Sequence, residues 1–345
     1  MNKFEVLKKL INYNTIQDKE NKQIMDYLEK ICNDLNFKTE QKGKNLIMSF
    51  GEKCKVGFLG HTDTVEYIDG WDSDPFELTE KDNKLYGLGV CDMKGGIAAM
   101  IEALSQIDLK KLEYGIKIYF TYDEEEGFGG IKEIVNANEE FPDVMIFGEP
   151  TNNEILVGSK GLLSYELEFK GKKAHSSNPE KGISANMNAV NFLTELNKFY
   201  NQNIKINKEP RYEIPYTTMN VGIISGGSAL NSIPAKCKTT LDFRIIDTNH
   251  IALIKNKIEE LSKKYSCSIN ILDCIEPFID NQYTDTNQKT ASFITEASFI
   301  KKSKKIILGL GPVTAHEVNE YITKESYEEL VKQYKKIILE NCMSK

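Results

Sequence analysis

Two of the four histidines in this 345-residue chain close apolar runs. His61 ends Lys55-Val-Gly-Phe-Leu-Gly-His61-Thr-Asp63, and His316 follows Leu308-Gly-Leu-Gly-Pro-Val-Thr-Ala. Acids stand at the ends of three more such runs: Asp92, then Asp123-Glu124-Glu125-Glu126, then Glu149 before Pro150. Imidazole nitrogens beside carboxylates, with no thiolate among them, suit Zn2+, Co2+ or Mn2+. Ions of that kind support hydrolysis by polarising a carbonyl and acidifying water.

Taken singly, each signal has a plainer explanation. His61 and Asp63 are two apart in a strand and point the same way, so Asp63 can accept from one ring nitrogen while the other binds metal. A satisfied core histidine accounts for the pair equally well. Asp92 precedes an apolar helix, where an ordinary N-cap would also sit, yet a carboxylate there can bridge two ions. The run 123–126 reads as a solvated loop unless one glutamate binds metal and a neighbour serves as general base. Spacing alone leaves open which does which. Cys91, with no histidine near it in sequence, reads as a small buried residue rather than a nucleophile. The set is stronger than its members, because stray surface acids would not fall repeatedly at strand ends. If Asp92 is shared, the five ligands hold two ions, and three carboxylates leave the centre with about one net positive charge.

The elements that must carry these residues alternate. Two helices are expected across Leu7–Leu35. Strands follow at Lys55–Gly60, Tyr114–Tyr122 and Asp143–Phe147, with helices at Gly95–Leu104 and Ile131–Asn138 between them. Alternation of this kind predicts an α/β catalytic domain with a mostly parallel central sheet flanked by helices, and ligands at the carboxyl ends of its strands. From Gly158 the order changes to strand 162–169, helix 184–200, strands 217–224 and 237–245, helix 249–264 and strand 266–272. That is the βαββαβ order of a ferredoxin-like unit. The first pattern then resumes with a helix around Thr290–Ile300, a strand Lys304–Leu310 and a helix Ser326–Glu340. The expected division is 1–157 with 276–345 for the metal-binding domain, and 158–275 for the insert.

A net charge of −7 without a basic tract argues against nucleic acid or an anionic membrane as partner. No apolar run is long enough to span a bilayer. The N-terminus lacks a signal-peptide layout, and seven scattered cysteines, never spaced C-x-x-C, read as reduced thiols. A cytoplasmic location is the expectation. Arginine is scarce: Arg211 and Arg244 are the only two among 44 basic residues.

In this order, from His61 to His316, the motifs resemble those of the M20 family of dinuclear zinc amidohydrolases and peptidases. The similarity is strongest to the acetylornithine deacetylase branch. It is carried by Trp71…Asp74-Pro-Phe-Glu-Leu-Thr…Gly87-Leu-Gly…Asp92-Met-Lys-Gly, by Gly148-Glu-Pro-Thr, Gly226-Gly…Asn231 and Thr295-Glu-Ala, and by Ala315-His-Glu…Glu320-Tyr. The resemblance implies one ion on His61, Asp92 and Glu149 and another on Asp92, Glu125 and His316. It makes Glu124 the general base and acid, which settles the register left open above, and it implies a cis peptide at Asp92–Met93.

By the same resemblance the inserted unit is a lid and dimerisation domain. There His175 and Asn231 would support the oxyanion, His175 from the partner subunit of a homodimer, and Arg244 would grip a substrate carboxylate. The implied reaction is hydrolysis of an N-acyl amino acid, N-acetylornithine first, to ornithine and acetate. Alternatives are a succinyl-diaminopimelate desuccinylase, a metallo-dipeptidase or carboxypeptidase, and a non-catalytic binding protein. The chain departs from the family at Glu66, where proline is usual after His-Thr-Asp-x-Val.

Overall fold

The computed structural model describes residues 4–17, 19–280 and 288–343. Its contacts divide the chain into two compact units, 1–157 with 295–345, and 158–294. The second crossing thus falls later than the expected 275/276. After the strand Cys267–Ile275 the chain pairs Phe278 and Ile279 with Ser159 and Gly158. Thr290 then donates to the Arg211 carbonyl, so this stretch stays with the second unit.

The first unit is built on a twisted sheet. Its strands in chain order are β1 (Lys38–Lys42), β2 (Asn45–Phe50), β3 (Cys54–His61), β4 (Gly115–Thr121), β5 (Val144–Phe147), β6 (Leu156–Ser159, whose last two residues already fall in the second unit) and β7 (Lys304–Ile307). They lie side by side as β1-β2-β4-β3-β5-β7-β6. The middle four are parallel and the flanking pairings antiparallel. β3 runs Val56 to Leu59 without a polar side chain, as a strand covered on both faces must.

The helix Lys94–Ser105 supplies one cover. It is apolar nearly all round and almost wholly buried, which is the signature of an interior helix. Gly95 and Gly96 lower its intrinsic propensity, but Gly96 has a packing reason: a Cβ there would lie 2.7 Å from the Gly148 carbonyl oxygen. The helix backbone therefore rests directly on the end of β5, just before Glu149. The terminal helix Lys324–Cys342 covers the same face and is capped by the Thr323 hydroxyl, which accepts from the Ser326 N–H.

A small three-stranded sheet, Thr79–Lys81, Lys84–Tyr86 and Tyr321–Thr323, joins two segments distant in sequence. The helix expected around Thr290–Ile300 is not there. Lys289–Ala291 is a short strand, and only Glu296–Phe299 coils, as a single 3-10 turn capped by Thr295. Thr290, Ile294, Thr295 and Ile300 are β-branched, and a helix of that length would have to hold all four.

The second unit has four antiparallel strands in the order Thr218–Gly226, Lys236–Ile245, Gly161–Lys170, Cys267–Ile275. This is the ferredoxin-like arrangement the βαββαβ order predicts. Helices Ala185–Asn203 and Thr248–Lys264 bury Phe192, Leu196, Ile254, Ile258 and Leu261 against Leu163, Leu167, Phe169 and Phe243. Their N-termini are capped by Ser184 and Asp247.

Candidate metal centre

Strand register decides which side chains meet in the first unit. Leu59 pairs with Phe147, so His61 and Glu149 each lie two residues beyond a matched pair and emerge on the same side. His61 itself pairs with Thr121, which brings the turn 123–126 alongside. β7 pairs Ile307 with Phe147 and then leads into the loop carrying His316.

Asp92 lies at the middle of the resulting cluster. Its Oδ1 is 3.1 Å from His61 Nε2, and its Oδ2 is 3.6 Å from His316 Nε2. Each carboxylate oxygen therefore faces a different histidine. Glu149 Oε2 is 3.9 Å from His61 Nε2, and Glu125 Oε1 is 3.2 Å from His316 Nε2. His61, Asp92 and Glu125 can offer ligand atoms all within 4.8 Å of one another. Asp63 sits behind His61, its Oδ1 3.6 Å from Nδ1 and its backbone oxygen 3.1 Å away. Its other oxygen accepts from the Glu125 N–H at 3.1 Å, so one side chain supports a ligand at the end of β3 and another in the turn after β4. The Asp92–Met93 peptide is cis.

The acidic turn separates its members by environment. Asp123 has φ 57° and folds back to accept from the Gly129 N–H at 3.0 Å. Glu124 is buried, Glu125 reaches His316, and Glu126 faces solvent. His316 also adopts a left-handed backbone, φ 63°, a strained conformation for a non-glycine residue and one often met at functional sites.

Burial and crowding of like charge shape the electrostatics. Burial, then the neighbouring Glu149 charge, pushes the Glu124 carboxyl well above the ordinary range. Burial raises Glu125, and lifts Glu149 to about 7. For His61 burial opposes the charge, but Asp63, Asp92 and Glu149 outweigh it and raise the ring. The hydrogen bond to Glu125 lifts His316 to about 9. Groups of both signs thus hold protons that a divalent cation would displace, as expected for a ligand set in want of positive charge.

Two acids escaped any role in the sequence reading. Glu296 is fully buried, with its carboxyl raised to about 8 by burial, and accepts from the Thr121 hydroxyl at 2.9 Å. Glu320 is buried beneath the Asp92 loop. The available signal was an acid inside an otherwise apolar stretch, as in Thr295-Glu-Ala. Cys91 is buried and its thiol is pushed up by burial, which is no environment for a nucleophile.

The second unit brings two of its three candidates together. Ala174–His175 pairs with Ser232–Ile233, and the Ser176 N–H donates to the Asn231 carbonyl at 3.0 Å. His175 and Asn231 are therefore neighbours on one exposed ribbon. His175 Nδ1 lies 2.8 Å from the Ser177 hydroxyl. Arg244 lies on Lys236–Ile245, partly exposed, and donates from Nε to Asp242 Oδ1 at 3.1 Å.

Known proteins are similar to this chain over most of its length. Residues 57–340 match the model of peptidase family M20/M25/M40. An acetylornithine deacetylase of Buchnera aphidicola is 33% identical, covering 92% of both chains. A tripeptidase from Staphylococcus aureus shares the fold with a TM-score of 0.79 at 21% identity, over 97% of this chain and 96% of that one. A dinuclear metal binding peptidase of the M20 family from Bacillus subtilis superposes with a TM-score of 0.70 at 10% identity, over 98% of each.

Proposed function

Because the chain belongs to peptidase family M20/M25/M40 and is a metal-dependent amide hydrolase, we propose that it removes the acyl group from an N-acyl amino acid, N-acetylornithine first. The observation that carries this reading is the Asp92 carboxylate, whose two oxygens face two histidines, one at the end of β3 and the other on the loop that follows β7. That arrangement fits one ion on His61, Asp92 and Glu149 and a second on Asp92, Glu125 and His316. Zinc suits the nitrogen and oxygen donors, with Co2+ and Mn2+ as substitutes. When bound, the ions supply Lewis acidity toward the amide carbonyl and make water more acidic.

The remaining work falls to the chain. Glu124, buried and with a raised pKa, takes a proton from the attacking water and returns it to the leaving amine. Asp63 fixes the ring orientation of His61. His175 and Asn231 supply donors to the tetrahedral oxyanion, and Arg244 holds the substrate carboxylate with a fork that lysine lacks. His175 acts from the second subunit of a cytoplasmic homodimer, joined through the second unit. What supports a dimer is the sheet-edge strand Thr218–Gly226, whose Ile223 and Ile224 are exposed.

The test is a turnover screen of the metal-loaded protein against N-acetylornithine, N-acetylcitrulline, N-succinyl-diaminopimelate and several dipeptides. N-Acetylornithine should give the highest kcat/KM. Preference for the succinylated substrate or for dipeptides would replace the substrate assignment. No hydrolysis of any of them would overturn the proposed activity.

A further inference from the structure

The loop that presents Asp92 is held by a group outside the ligand set. Glu320, 2% exposed, directs its carboxylate into that loop. Its Oε2 accepts from the Gly89 N–H at 2.8 Å, and its Oε1 accepts from Cys91 at 2.7 Å and Asp92 at 3.0 Å. Its backbone oxygen accepts a fourth bond, from the Gly87 N–H at 3.2 Å. Gly89 has φ +79°, a left-handed turn that helps converge these N–H groups into a concave nest. A Cβ at Gly89 would also strike Thr64 Cγ2 at 2.7 Å.

Glu320 shares a loop with His316. Thr314 and Tyr321 close that loop with two hydrogen bonds, of 2.7 and 2.9 Å, one in each direction. Tyr321 then pairs with Tyr86 in the small sheet, which sets Glu320 opposite Gly87. A single carboxylate thus connects the loop bearing His316 to the backbone N–H of Asp92. His61 needs no such tie, because its own strand is hydrogen-bonded to a neighbour on each side.

We propose that Glu320 is a positioning residue that fixes Asp92 relative to His316, and so sets the affinity of the ion those two residues share. The inference rests on the two-ion reading given above. The carboxylate is suited to this task because it only accepts, and it meets three donors. A glutamine at this position keeps one acceptor and turns an NH2 group toward a backbone N–H, leaving at least one donor unpaired and the loop free to shift.

The experiment compares wild type and Glu320→Gln for metal content, metal affinity and the visible spectrum of the Co2+-loaded protein. In wild type two ions should bind. In the variant one should bind about 10- to 100-fold more weakly, the range seen when residues supporting a metal ligand are removed. The other should be less affected, and the Co2+ spectrum should change. A folded variant that binds both ions with wild-type affinity and spectrum overturns the proposal. A wild-type protein that binds fewer than two ions overturns the two-ion reading itself, whatever the variant does. If Glu320→Gln does not fold, Glu320→Asp is read in its place, since it keeps the charge but is too short to reach all three donors. Amide exchange in wild type over residues 87–92 needs no variant. Slow exchange supports the tie, and exchange as fast as in an open loop overturns it.

Discussion

In the first unit three of the five proposed ligands, His61, Asp92 and Glu125, are restrained from behind. Asp63 backs His61 and also takes the Glu125 N–H, while Glu320 takes the Asp92 N–H. Most of these side chains are buried, and the protons of His61, Glu125, Glu149 and His316 are shifted by burial and by one another. In the second unit His175, Asn231 and Arg244 are at least partly exposed and bonded only to near neighbours in sequence or across a short ribbon. The first arrangement is complete without a substrate. The second has open hydrogen-bonding capacity, as suits groups that act on a ligand's shape and charge. Metal affinity should therefore belong to one unit and substrate affinity to the other.

The strongest challenge to this division is Glu124→Gln. It should lower kcat by about 100- to 10,000-fold while both ions remain bound by elemental analysis. Loss of an ion would make Glu124 a ligand and blur the separation between chemistry and coordination. Next is Arg244→Lys, which loses the planar fork. KM should rise about 10- to 100-fold, the worth of a charged hydrogen bond, with metal content unchanged. A fall in metal content would tie the second unit to the centre and break the comparison. Ile224→Lys should weaken self-association about 10-fold or more by placing a charge on the exposed strand edge, as read by sedimentation. Unchanged association would move the dimer contact elsewhere.

The smallest effect concerns pH. Glu149 and Glu320 are raised to about 7 and Glu296 to about 8, against about 4.5 in an unfolded chain. Between pH 5 and 7 the folded, metal-free protein binds more protons than the unfolded one, so its stability falls as pH rises. Raised pKa values at His61 and His316 act in the same sense above pH 6.5. Lys94, lowered to about 7, acts in the opposite sense only above that pH. The Tm of chelator-treated protein should drop by a few degrees across this window, and zinc should reduce the drop. A flat profile without metal would contradict the shifted carboxyls.

Much of the centre could be read in the sequence because it rests on local rules. A strand ends where its apolar run ends, so His61, Glu149 and the turn after Thr121 had to lie together at the carboxyl ends of neighbouring parallel strands. The proposed division of labour between Glu124 and Glu125 could not be read that way. It depends on the Asp63 bond to the Glu125 N–H and on His316, which comes from far along the chain. Glu296 was hidden for a different reason. It sits where helical spacing was read into a segment that makes a single 3-10 turn. The sheet joining Thr79–Lys81 and Lys84–Tyr86 to Tyr321–Thr323 was missed because its strands are three residues long and their pairing is non-local.

The shared position of Asp92 also bears on how the protein fills with metal. Two ions that share a ligand do not bind independently: the first alters the charge and the free oxygen that the second encounters, and linkage makes the effect mutual. Each binding step also displaces protons from His316 and the raised carboxyls, so occupancy depends on pH as well as on metal concentration. Calorimetric titrations in two buffers of different ionisation heat should therefore give two unequal steps, each releasing protons. The half-filled form would then be a distinct species rather than an average of empty and full.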